Sequence, residues 1–324
     1  MVRIKSPERG FFIVNYLILQ PQEKSMKKLK YYIISFRLRT LPLSVSGILM
    51  GSLLACANGY FNTRCFLLAI ATTLSLQILS NLANELGDLK KGTDNEQRLG
   101  PIRSIQSGVL TISEFTRVII LFAFLSLILG SILVYDAFHT LLDISSILML
   151  LAGGAAVIAA IKYTVGQNAY GYRGLGDLFV FIFFGLLSTA GSWFLMTHEL
   201  TAAIFLPASA IGLLSTGVLN MNNIRDIEND KNSGKRTIPV IIGEKNAKLY
   251  QLFLIGGAQL CMIFYASLHY NGIAGFAFLL TLPLCIIHLN KVFRLSGRAL
   301  DPQLKFVSIT TLLFALLGGF GQIW

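Results

Sequence analysis

Charge is what this sequence has least of. Only 13% of its 324 residues are Asp, Glu, Lys or Arg, and 54% are hydrophobic. An ordinary soluble domain carries roughly 25% charged residues, so a water-facing surface of normal polarity is excluded. Mean hydropathy is +0.66. The 4 histidines are scattered singly, which suggests neither a zinc site nor a haem site. The 4 cysteines (Cys56, Cys65, Cys261, Cys285) lie in or beside apolar runs without CxxC or CxxH spacing, and read as small packing residues. The net charge of +11 lacks the basic face on a soluble domain that nucleic-acid binding would need.

What is abundant is long apolar sequence. Nine runs, at about 41–59, 65–84, 118–135, 144–162, 177–196, 203–221, 249–268, 273–290 and 305–323, approach the ~20 residues that cross a bilayer as a helix. With the N-terminus placed in the cytoplasm, every one of the 27 Lys and Arg except Arg64 falls on the inner side. That asymmetry is the positive-inside bias of an N-in, C-out membrane protein, and it accounts for the net charge. The segment before Met26 contains a short apolar run, Phe11 to Leu19, too short to span, and no small-residue cleavage site. Residues 1–25 are expected to be an interfacial or disordered extension. Met26 offers a second possible start, and 26–324 a single transmembrane domain. The inner loops 85–117, 162–176 and 222–248 are long and polar or Gly/Tyr-rich, so any chemistry is expected on that side.

Acidic residues concentrate in two of these loops. The first cluster includes Asn81, Asn84, Glu85, Asp88 and, past Gly92, Asp94; the second includes Asn222, Arg225, Asp226, Glu228 and Asp230, then Gly234, Lys235 and Arg236. Each follows directly from an apolar run. Asn222, Asp226 and Asp230 are four apart, and Asn81, Asn84 and Asp88 are three and four apart, so each set stacks along one helical stripe. Carboxylates on one stripe repel, and near a helix C-terminus the macrodipole also opposes them. A hard divalent cation with oxygen ligands relieves both. Magnesium prefers one or two carboxylates plus substrate phosphates. Two such half-sites facing each other would suit a diphosphate; the plain alternative is solvated charge at a membrane surface.

Cations accompany both clusters. Arg98 and Arg103 follow the first, and Lys235 and Arg236 the second. Arg offers paired donors to phosphate and Lys a compact charge, although positive-inside bias alone would also put cations here. The third loop holds Lys162, Tyr163, Tyr170, Tyr172, Arg173 and Asp177 among glycines. It reads either as an interfacial aromatic belt or as a wall for an aromatic acid or an allylic cation. Asp177 reads as a cap of the fifth span. A transporter would hold its ionisable residues near the midplane, whereas these crowd one surface.

At these residues the chain resembles the UbiA superfamily of intramembrane prenyltransferases. Asn84 to Asp94 looks like the family's first aspartate-rich motif, and Asp226 with Asp230 like its second. The stretches Arg37-Leu-Arg39-Thr40-Leu-Pro42, Gly92-Thr-Asp94, Gly100-Pro101-Ile-Arg103, Tyr170-Gly171-Tyr172-Arg173-Gly174 and Asn222-Asn223-Ile-Arg225-Asp226 resemble the branch acting on 1,4-dihydroxy-2-naphthoate. Glu85 stands where the family usually has Asp. The resemblance implies an all-α, polytopic bundle of nine transmembrane helices around a central cavity, in a bacterial inner membrane with the site facing the cytoplasm. It implies transfer of a polyprenyl chain from polyprenyl diphosphate to 1,4-dihydroxy-2-naphthoate, with loss of CO2 and diphosphate, in menaquinone synthesis. Other aromatic acceptors, 4-hydroxybenzoate, homogentisate or a haem, are the alternatives. Mg2+ is the implied cofactor, with Asn84, Asp88 and Asp94 on one ion and Asp226 and Asp230 on the other. Asp88, Asp226, Arg103 and Lys235 are then the catalytic candidates. Asn81, Asn84, Tyr163, Tyr170, Tyr172, Arg173, Asn222, Arg225 and Arg236 are the substrate-binding ones.

Overall fold

The computed structural model describes residues 28–94, 99 and 103–324. The expected extension 1–25, the candidate cation Arg98 and the stretch 100–102 lie outside the described residues. Among the described residues there is no strand, and 9 helices are long and apolar enough to cross a membrane.

Local chemistry sets many of the helix ends. Pro42 opens α1 (Leu41–Ala57), at a position where its missing N–H costs nothing. Asn62 caps α2 (Thr63–Lys90) by accepting from the Arg64 and Cys65 N–H groups. Thr111 and Glu114 form a reciprocal capping box at the start of α3 (Ile112–Phe138). Asp143 caps α4 (Ile144–Lys162) through the Ser146 N–H. α5 spans Gly176–Thr197, and its middle, Phe181–Ala190, is π-helical. α6 (Phe205–Arg225), α7 (Glu244–Leu268), α8 (Ile273–Arg294) and α9 (Asp301–Ile323) complete the bundle.

Each apolar run in the sequence falls on one of these helices. Most differences in length lie at the Lys/Arg-rich ends: α2 continues to Lys90, α6 to Arg225 and α8 to Arg294, while α7 begins at Glu244 and α9 at Asp301. Hydropathy stops at the membrane edge, but Leu, Glu and Lys keep the backbone helical past it. The first acidic cluster therefore rides largely on the extension of α2, and the second starts on the last turn of α6.

α1 and α6 lie inside. α1 packs on α9, α2 and α5, and α6 on α7, α5 and α9, whereas α3 and α4 pack on α2 and each other and turn most of their surface outward. In lipid the hydrophobic effect does not press helices together, so contact depends on close backbone approach and polar ties. Both are present. A Cβ placed on Gly185 of α5 would lie 2.4 Å from the Cα of Gly212 on α6. Asn220 donates to Gln251 at 2.8 Å, Gln251 meets His288 at 3.1 Å, and His288 meets Gln303 at 3.0 Å, a buried chain across α6, α7, α8 and α9. What this packing leaves open is a deep cavity at the Lys/Arg-rich end of the bundle.

Candidate active site

The cavity holds about 360 Å³ and is lined from α1, α2, α3, α4, α5 and α6. Its inner part is apolar, with Leu127, Val134, Met149, Phe183 and Leu187 among its walls. Its mouth is polar, and there the two acidic clusters meet.

On α2, the residues Gln77, Asn81, Asn84 and Asp88 fall one helical turn apart and all line the cavity. Asn81 accepts from Gln77 at 3.2 Å and donates to the Phe36 carbonyl at 2.9 Å. It thereby fixes the turn in which Arg37, also a cavity residue, holds a left-handed backbone at φ 50°. Non-glycine residues adopt that geometry at a cost and persist there where neighbours enforce it. Asn84 accepts from Thr164 at 3.4 Å. Asp88 Oδ1 accepts from the Tyr172 hydroxyl at 2.8 Å.

After Gly92, which turns the chain at φ 72°, Asp94 pairs with Arg103 at 3.4 Å. Arg103 lines the cavity; Asp94 is buried beside it and outside the lining. Glu85 points elsewhere. It accepts from the Ile105 N–H at 3.1 Å and pins the loop between α2 and α3.

The second cluster is less continuous than its spacing implies. α6 ends at Arg225, Asp226 takes a non-helical φ of −99° and ψ of 13°, and a short helix resumes at Ile227–Asn232. Hydrogen bonds from Asp226 N to Asn222 O at 3.2 Å and from Asp230 N to Asp226 O at 2.8 Å still stack the three residues. Asn222, Asp226, Asn229 and Asp230 all line the cavity. Asn229 donates to the Thr93 carbonyl at 3.0 Å and so joins the second cluster to the first.

Lys235 stands between the clusters. Its Nζ is 3.7 Å from Asp230 and 5.4 Å from the centre of the Tyr172 ring, while Lys91 lies 3.9 Å from that centre. Burial opposes the charge on Lys235, but Asp88 and Asp230 outweigh it and hold the ammonium above its ordinary pKa. Burial pushes Asp230 up to about 6, against the pull of Lys235. The Tyr172 phenol is raised by burial and by Asp88, so it stays a donor.

The aromatic loop divides its roles. Tyr163 and Tyr170 line the cavity, packed edge to face with ring centres 5.3 Å apart, and Tyr170 stacks on Phe179. Tyr172 acts on Asp88 rather than on the cavity. Arg173 and Arg236 are exposed; Arg173 bonds Asn168, and the Arg236 N–H donates to Tyr172 O. Arg225 is fully buried and directs its guanidinium to Asn222, Asp226 and Asp301. No side-chain cap is formed by Asp177 at the start of α5; its carboxyl bonds Tyr250 on α7 instead. A pocket that is apolar inside, lipid-facing in its frame and double-sided in Asn and Asp at its mouth is what the first and second motifs of one family would build. A profile of the UbiA prenyltransferase family matches residues 44–317.

The chain belongs to the UbiA prenyltransferase family. It is 43% identical over 307 residues to the 1,4-dihydroxy-2-naphthoate octaprenyltransferase of Escherichia coli, covering 93% of this chain and 99% of that one. To the enzyme of that name from Haemophilus influenzae it is 40% identical, covering 92% and 97%. Among solved structures it is similar to a UbiA homolog from Archaeoglobus fulgidus bound to DMAPP and Mg2+, with a TM-score of 0.62 and 17% identity over 90% of this chain and 99% of that one. It is also similar to the apo UbiA homolog of Aeropyrum pernix, with a TM-score of 0.62, 17% identity and coverage of 85% and 94%. These last two likenesses concern the fold.

The donor set of this UbiA site fits a hard cation. Among the described residues no three His, Cys, Asp or Glu side chains cluster closely enough to cage a metal alone. The candidate oxygens instead sit on two elements. Asp230 Oδ2 and Asn229 Oδ1 are buried without a hydrogen-bond partner. Buried oxygens left open in this way suit magnesium, which keeps coordination places for water and phosphate. Asn229 lies about one helical turn from Asp226, an expected metal ligand, and Gln77 one turn from Asn81, an expected substrate-binding residue, so both were within reach of the helical repeat. Nothing in the spacing marked Arg37 or Asp301.

Proposed function

We propose that this prenyltransferase moves a polyprenyl chain from polyprenyl diphosphate onto 1,4-dihydroxy-2-naphthoate, releasing CO2 and diphosphate on the pathway to menaquinone. The observation that carries this is the meeting of two Asn/Asp stripes, from α2 and α6, over one cavity that is polar at the mouth and apolar inside. A diphosphate head belongs at the mouth and a prenyl tail among Leu127, Val134 and Phe183. The acceptor follows from relatives of that name at 43% and 40% identity over nearly the whole chain.

Asn84, Asp88, Asp226 and Asp230 would hold Mg2+, with Asn229 as a further oxygen. Bound there, the metal supplies positive charge to the departing diphosphate. Lys235 and Arg103, both buried at the mouth, add fixed positive charge where negative charge develops as the allylic C–O bond breaks. The Tyr163 and Tyr170 rings, with Phe179 stacked on Tyr170, wall the cavity near its mouth and supply aromatic surface to an allylic cation formed there. Arg37 lines the same mouth and adds positive charge there. The ring carbon that bore the acceptor carboxylate forms the new C–C bond; CO2 leaves, and its electron pair restores the aromatic quinol. The apolar wall keeps water from the cation. The Lys/Arg-rich end, and with it the mouth, faces the cytoplasm of a bacterial inner membrane by the positive-inside bias.

The test is an assay of detergent-purified protein with 1,4-dihydroxy-2-naphthoate and a polyprenyl diphosphate, with and without Mg2+, read by product mass. A magnesium-dependent, decarboxylated, prenylated quinol is expected. Product with 4-hydroxybenzoate alone would overturn the acceptor, and no product with any aromatic acceptor would overturn the reaction.

A further inference from the structure

The Arg225 guanidinium is placed as a strut rather than as a phosphate ligand. Its side chain has 0% exposure, and all three of its nitrogens are spent on protein. Nε donates to Asp226 Oδ1 at 2.9 Å, Nη2 to Asp226 Oδ2 and to Asn222 Oδ1 at 2.9 Å, and Nη1 to Asp301 Oδ1. Asp301 is the first residue of α9, and its other oxygen lies 3.5 Å from Arg39, just before α1. The row Asp226–Arg225–Asp301–Arg39 thus alternates in sign and links three helices. Only Asp226 at its inner end lines the cavity.

A buried arginine must stay paired, because leaving it uncompensated costs several kcal/mol. Were Asp226 its sole carboxylate, any cation drawing on Asp226 would have to leave Arg225 unpaired. Asp301 gives the guanidinium a second partner that no ligand of the cavity reaches. We propose that Asp301 is a positioning residue: through Arg225 it frees the Asp226 carboxylate to bind the metal that a diphosphate requires. This rests on the reading of Asp226 as a metal ligand. Arg39 acts in the opposite sense, since it draws Asp301 away from Arg225.

The test measures Mn2+ binding to the full-length, detergent-purified chain in the presence of inorganic pyrophosphate, by electron paramagnetic resonance, alongside the Mg2+ dependence of turnover. Touching charged residues are commonly coupled by a few-fold up to about a hundredfold. Asp301→Asn should therefore weaken Mn2+ about tenfold, and Asp301→Glu, which keeps the charge, should recover most of the loss. The defect must vanish when Asp301→Asn is made in an Arg225→Gln background, because its route runs through that guanidinium. A defect that persists there, or Mn2+ binding by Asp301→Asn equal to that of the parent, overturns the proposal. Arg39→Gln covers the case in which Asp301→Asn does not fold: it should tighten Mn2+ binding, whereas a purely structural row would weaken it or leave it unchanged, and either result overturns the proposal. Asp226→Asn is the control. If it binds Mn2+ as the parent does, the metal reading of the second motif falls; if it binds weakly while Asp301→Asn does not, the proposal alone falls.

Discussion

Asn229 donates its side-chain amide to the backbone carbonyl of Thr93 at 3.0 Å, across a gap of 136 residues in sequence. The bond is buried, and it closes the second motif on the first. Removing the donor strands a carbonyl that has little access to water, a change costing ~1–3 kcal/mol. Asn229→Ala is expected to lower the melting temperature in detergent and to reduce turnover, since it also removes an open oxygen from the cavity. An unaltered melting curve would show that the two motifs are held together by other contacts.

Tyr172 serves Asp88 in two ways. Its hydroxyl donates to the carboxylate, and its ring lies under the ammonium groups of Lys91 and Lys235. Hydrogen bonds to charged groups are worth ~1.5–3 kcal/mol, and a cation over an aromatic face ~0.5–2 kcal/mol. Tyr172→Phe should therefore reduce turnover by roughly tenfold while keeping the protein folded. Tyr172→Leu should reduce it further. Equal rates for the two variants would mean that the ring contributes nothing to placing the lysines.

Glu85 gives a contrasting expectation. Its carboxylate accepts from the Ile105 backbone and faces away from the cavity. Glu85→Gln keeps an accepting oxygen and is expected to leave the Mg2+ dependence of turnover unchanged. Glu85→Ala leaves the Ile105 N–H without its partner and should destabilise the protein by ~1–3 kcal/mol. A shifted Mg2+ requirement in Glu85→Gln would place this carboxylate in the metal site after all.

Much of this was legible in the chain because one physical rule governs each part. Twenty apolar residues make a span, and the lopsided Lys and Arg distribution marks its sides. Asn81, Asn84 and Asp88 needed only the helical repeat to be placed on one stripe. The interruption at Asp226 was not legible: the spacing of Asn222, Asp226 and Asp230 fits an unbroken helix equally well. The purpose of Arg225 was hidden for another reason. Its partner Asp301 is 76 residues away, and only the packing of α9 against α1 and α6 brings them together. The aromatic loop misled in part, because neighbouring residues there face different ways, Tyr170 into the cavity, Tyr172 onto Asp88 and Arg173 outward. Asp177 has the look of a helix cap, yet it is claimed by Tyr250 on a distant helix.

The bundle itself can be tested away from the chemistry. Gly185 and Gly212 let α5 and α6 touch backbone to backbone. Gly185→Val would drive its Cβ into the Gly212 main chain, which cannot retreat as a flexible side chain can. The expected result is a poorly folded protein with a low yield of the discrete species on size exclusion, although no residue at the cavity mouth has changed. A normal yield would show that the two helices can separate without cost.

The π-helical stretch Phe181–Ala190 has a consequence for how this molecule tolerates change in length. Bonding five residues apart stores more residues in each turn than an α-helix does. The two ends of α5 are thereby set in a rotational phase that an ordinary helix of the same residue count would not give. At one end Phe179 stacks on Tyr170, with ring centres 3.9 Å apart; at the other the Trp193 indole donates to Glu199 O at 2.9 Å. Losing one residue between them would let the segment relax to an α-helix with its two ends kept nearly in phase, because the residue removed is one the wide turns store. An inserted residue has no such reserve to draw on and would turn the cavity mouth against the far end of α5 by about 100°.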